Sequence, residues 1–183
     1  MASNVEQGRL ACGGQAAAVR LAVVGTTYVA DFTGHITMLF DPNVLSRYLS
    51  GAAGLVELLI DENVFNGIGA MIGPITWVRD PDRDPGPSSL RPVTPGMPFP
   101  GIQDFVLNIN MTIPNLLPGI TLRNVIPSNP GPPILRNANV TNFPPQNDVY
   151  QLVEPIDLED VNNPGPVLAT IQNFPVTVNP PTA

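Results

Sequence analysis

The chain has 183 residues, a net charge of −7, eight basic residues that are all Arg, and one cysteine, Cys12. This acidic balance argues against a nucleic-acid partner and against attraction to anionic lipid, and the absence of Lys excludes a P-loop lysine, a Schiff base and a Lys-derived isopeptide bond. A lone cysteine excludes an internally stapled secreted domain.

With 43% apolar residues the chain has enough material for one core, yet its 23 Pro and 16 Gly make up about a fifth of it. That combination predicts a turn-dense, mainly β protein: a single domain over 1–183 built as an antiparallel sandwich or jelly-roll-like barrel. A folded N-terminal part with an extended Pro-rich tail is the alternative.

Residues 1–16 read as an arm or first edge strand. Leu10-Ala11-Cys12 has the spacing of a lipoprotein cleavage site, but the preceding MASNVEQGR lacks an apolar stretch, so neither that leader nor an ordinary signal peptide is read here. Cys12 is expected to be an unpaired thiol, with a bridge to another subunit as the alternative. The run 17–24 reads as a strand interrupted by Arg20.

Residues 27–40, TYVADFTGHITMLF, alternate cleanly. Tyr28, Ala30, Phe32, Ile36, Met38 and Phe40 take one face, and Thr27, Asp31, Thr33, His35 and Thr37 the other. A half-buried strand, or a hairpin turning at Thr33-Gly34, satisfies that pattern. Asp41-Pro42 then gives an N-cap and a first helical residue, and helical spacing of Val44, Leu45, Tyr48, Leu49, Ala52, Leu55, Val56 and Leu59 predicts a helix near 42–60 over one sheet face. Residues 64–78 are apolar and Gly-rich but too short to span a membrane and are broken by Pro74, so buried strands with a turn are expected.

The Pro-rich stretch 79–101 is predicted to be a connection dividing an N-terminal part, 1–78, from a multi-strand part, 102–183. In the latter, FVLNINMTI places Phe105, Leu107, Ile109, Met111 and Ile113 on one face, and further short strands follow at sandwich or barrel spacing. N-P-G-P, an apolar run and N-F-P occur twice, at 129–144 and 163–175. Pro followed by Gly suits a type II turn, so each copy is expected to be a turn followed by a strand.

Candidate chemistry is thin. His35, the single histidine, is expected to be solvated on the polar strand face. Asp80, Asp82 and Asp84 alternate in a loop and could converge on calcium, although the EF-hand spacing fails and Arg79 and Arg83 supply local charge balance. Asp157, Glu159 and Asp160 form a weaker acidic cluster, and two glycosylation sequons, at Asn110 and Asn139, are expected to be coincidental.

No cofactor is expected, and no catalytic residue stands out. The expected function is a non-enzymatic structural protein that associates with copies of itself through strand edges and extended arms, as a subunit of a fibre, filament, coat or capsid on a cell surface or particle. The alternative is a monomeric binding module for a carbohydrate or surface partner, assisted by calcium. No membrane span is expected.

Overall fold

The computed structural model describes residues 7–83, 86–125 and 132–180, across which run thirteen antiparallel strands and one helix. The mainly β, antiparallel, barrel-like class expected from the sequence is what forms.

Three long strands, β1 (Gly8–Val23), β2 (Thr26–Phe40) and β3 (Val56–Gly69), pair in order into a shared wall. Ala30, Phe32, Ile36 and Met38 are buried, and Tyr28 and Phe40 pack against the core, as alternation predicts. The turn is not at Thr33-Gly34. It lies at Val24-Gly25, where both residues have positive φ, 46° and 84°. Gly34 instead sits mid-strand where a Cβ would lie 1.9 Å from the Val64 carbonyl oxygen, so close backbone approach explains this glycine.

The wall is closed twice. From the far half of β3, the ladder runs through β4 (Gly73–Arg79), β7 (Ile109–Thr112), β8 (Leu122–Asn124), β11 (Ile156–Asp160) and β12 (Asn163–Ile171) back to β1. From the first residues of β3, it runs through β5 (Ser88–Thr94), β6 (Met97–Val106), β9 (Ile134–Val140), β10 (Asp148–Leu152) and β13 (Val176–Asn179), again to β1. These are two eight-strand rings, upper and lower, sharing β1, β2 and β3. A ring of about eight strands has an interior that side chains fill or that holds one small ligand.

The chain crosses between the rings after β4, β6, β8, β10 and β12. Residues 79–101 are therefore not a dividing connection: they contain β5 and the start of β6, and each ring draws on both 1–78 and 102–183. Proline removes one donor at a time and leaves carbonyls and neighbouring amides to pair, so Pro92 lies opposite Gly101 within the ladder. The 105–113 run keeps its predicted buried face but divides, with β6 ending at Val106 and β7 starting at Ile109 as the chain crosses the waist.

The helix is shorter than 42–60. It is α1 (Pro42–Leu49), capped by the Asp41 carboxylate, which accepts from the Asn43 amide at 2.8 Å. Gly51, at φ 82° with its Cβ position 2.4 Å from the Gly96 carbonyl oxygen, ends it, and Val56, Leu58 and Ile60 belong to the alternating pattern of β3. The second N-P-G-P copy is not a turn either. It forms the start of β12 after a turn at Val161-Asn162, with Gly165 at φ 119° donating its amide to the Glu159 carboxylate. In the first copy, residues 129–131 lie outside the described residues.

One connected cluster of buried hydrophobic residues runs through both rings. The upper ring holds Phe32, Phe65, Trp77 and Phe174, whose ring centroids lie 4.5–5.8 Å apart in the contacts Phe32–Phe174, Phe65–Phe174, Phe65–Trp77 and Trp77–Phe174. Trp77 donates its indole N–H to Asn63, and a loop with Ile113 and Leu117 buried closes the outer end. Among the described residues no helix is long and apolar enough to cross a membrane.

Candidate functional site

The 80–84 loop lies at the waist. Asp80 is buried, and both carboxylate oxygens are engaged: Arg83 donates to one at 2.5 Å and the Asp82 amide to the other at 2.9 Å. Arg83 also donates to the backbone and side-chain oxygens of Asn124, whose side-chain oxygen accepts from the Ile109 amide and whose amide group donates to Asn108. This clasp joins β4, β7 and β8 where the rings meet. Asp82 is exposed, and Asp84 lies outside the described residues, among which no group of three His, Cys, Asp or Glu side chains is placed to hold a metal. In the second acidic cluster, Glu159 accepts from Arg123, Asp157 from the Thr170 hydroxyl and Asp160 from the Asn162 amide.

His35 faces outward, half exposed, 3.3 Å from the Glu62 carboxylate. Cys12 faces the other way. It is a free, fully buried thiol, and burial pushes its pKa up to about 11.

The polar group that sequence reading missed lies inside the lower ring with Cys12. Gln103 on β6 and Tyr150 on β10 are both fully buried, and the Tyr150 hydroxyl donates to the Gln103 side-chain oxygen. The Gln103 nitrogen reaches the Met38 sulfur at 3.6 Å. Burial first, then the Asp148 carboxylate and Cys12, hold the Tyr150 phenol well above its ordinary pKa, so it stays a proton donor. Phe105 stacks on Tyr150 with centroids 4.6 Å apart. A signal for Gln103 was present: the alternation that buries Phe105 and Leu107, carried back two residues, puts Gln103 on the same face.

Helix α1 covers the outer end of this ring. Tyr48 is its one buried residue; the hydroxyl donates to the Pro98 carbonyl at 2.7 Å and the ring meets Phe99 edge-on, while Phe40 meets Phe143 in the same way beside it. Outside the ring wall, Asp104 takes two bonds from Arg136 and one from Arg91. Burial alone would raise its carboxyl, but the bonds and charges of the two arginines hold it below the ordinary value.

No family model and no curated protein matches the chain. Among solved structures, DynF from the dynemicin biosynthesis pathway of Micromonospora chersina superposes with a TM-score of 0.79 at 22% identity, over 97% of this chain and 82% of DynF. The two chains share one fold. The likeness to DynF extends over both rings, because 97% coverage leaves neither outside the match.

Proposed function

We propose that the chain is a non-enzymatic binding protein whose lower ring receives a small molecule with an apolar body and one oxygen that accepts a hydrogen bond. A single observation carries this reading: the Gln103 amide nitrogen, fully buried, finds only the Met38 sulfur among the described residues. Sulfur is a weak acceptor, and an ill-paired buried donor costs about 1–3 kcal/mol. A ligand oxygen in place of the sulfur recovers that energy, and unbranched Met38 can swing aside to admit it.

The ring's end supports the same reading. Eight-residue α1 is too short to be stable alone; fully buried Tyr48 and partly buried Val44 and Leu45 hold it, so opening it exposes little apolar surface. An apolar interior with few polar groups suits a small-molecule site better than a sugar's many hydroxyls. DynF belongs to a biosynthesis pathway, which supports a small-molecule guest for a shared fold. No reaction is assigned, since the inward thiol and phenol are both held protonated and His35 faces outward.

Titration with the neutral dye 6-propionyl-2-(dimethylamino)naphthalene, an apolar body carrying one carbonyl oxygen, tests the proposal. Saturable fluorescence enhancement by the folded protein, weakened in Gln103→Leu and Met38→Phe, is expected. Enhancement that never saturates, or that survives both substitutions unchanged, contradicts it.

Self-association is the second reading, favoured by the exposed Val24, Val29, Ile68 and Met71 on and beside the β1–β2 and β3–β4 turns at the outer end of the upper ring. With strand edges largely used in closing the rings, copies would meet through this face instead. Light scattering is expected to show a larger species that Met71→Glu disperses; a uniform monomer at every concentration removes this reading.

A further inference from the structure

We infer that the lower ring selects neutral guests such as ketones, aldehydes, esters or amides and rejects carboxylates, an inference that rests on the binding reading above. The groups that touch the Gln103 side chain, and those that act on its partner Tyr150, are neutral or negative. Met38 and Cys12 on the wall strands and Tyr150 on β10 carry no charge at neutral pH. Asp148 lies on the same buried face of β10 as Tyr150, its carboxylate accepting from Asn137 at 3.3 Å and from the Gln146 amide at 2.9 Å.

Seven of the eight arginines are paired with a carboxylate or exposed, and the eighth, Arg79, belongs to the upper ring. Arg91 and Arg136 hold Asp104 on the outside of β6, Arg9 pairs with Asp61, Arg83 with Asp80, and Arg123 with Glu159. Arg20 and Arg47 are exposed, and Arg79, on the upper-ring strand β4, donates to the Asp61 carbonyl at 3.4 Å while its Nε is buried with no partner among the described residues. A carboxylate entering the ring would therefore lose its water and meet a like charge with no counter-ion, which is strongly unfavourable. A carbonyl oxygen needs only the Gln103 N–H.

Displacement of the bound dye by 2-undecanone and by undecanoate tests this at neutral pH. The ketone is expected to displace at a concentration at least about tenfold lower, and Asp148→Asn to narrow that ratio by about threefold. Equal or tighter binding of undecanoate overturns the inference, as does a ketone that leaves the dye in place or a ratio that Asp148→Asn does not move. Those outcomes leave dye binding, and with it the binding reading, intact; a protein that binds no dye ends both.

Discussion

Val24 holds a φ of 46° at the β1–β2 turn while 71% exposed. A β-branched side chain in the left-handed region is strained, whereas Asn tolerates it, and little packing is lost by the exchange. Val24→Asn is expected to stabilise the monomer by about 1 kcal/mol, read as a higher denaturation midpoint at unchanged slope. If copies associate through this turn, the same change weakens their contact.

Cys12 gives a pH dependence of definite sign. Its thiol ionises near 9.0 when unfolded and about 11 when folded, so between those values the unfolded state binds fewer protons and stability falls as pH rises. The loss approaches about 1.4 kcal/mol per pH unit for one group. Cys12→Ala is expected to flatten the stability curve from about pH 9 to the point where the buried tyrosines begin to ionise; an unchanged slope contradicts the assignment.

At the scale of elements, the glycines separate steric need from simple looseness. A Cβ at Gly34 would sit 1.9 Å from one backbone atom of β3 and 2.7 Å from another, whereas one at Gly54 meets nothing within 4 Å. Gly34→Ala is expected to cost about 3 kcal/mol or more, and Gly54→Ala to stay within about 0.5 kcal/mol, in paired denaturation curves.

The same scale shows what was legible. Alternation over 27–40 located β2 and its buried face, because a strand with one wet side writes its period into the sequence. The run from Leu55 to Ile60 fits both a helical and a strand period, and only the backbone stop at Gly51 decides between them. The 105–113 run kept its face but hid its break, since both rings bury the same side of the chain and crossing between them leaves the alternation intact.

At the scale of the whole molecule, closure was not legible. Which strand completes a ring depends on pairings between residues far apart, such as Leu21 with Ile171 and Val56 with Leu90, and no local pattern records them. Proline density pointed to connections where ladders run. The acidic loop at Asp80 looked like a cation site, yet its charge is met by Arg83, whose reach to Asn124 only the folded waist brings about. The polar pair inside the lower ring joins Gln103 and Tyr150 across 47 positions. Each residue alone reads as ordinary; their meeting is a property of the closed ring.

In the proposed binding role, the Gln103 amide is the donor that meets the guest's oxygen. Isotope-edited NMR of glutamine side chains during titration with 2-undecanone reads that group directly. The Gln103 amide protons are expected to shift downfield with saturating dependence, ahead of any change in exposed Gln15 or Gln172. A Gln103 signal that stays fixed while the ketone binds elsewhere, or does not bind, contradicts the account.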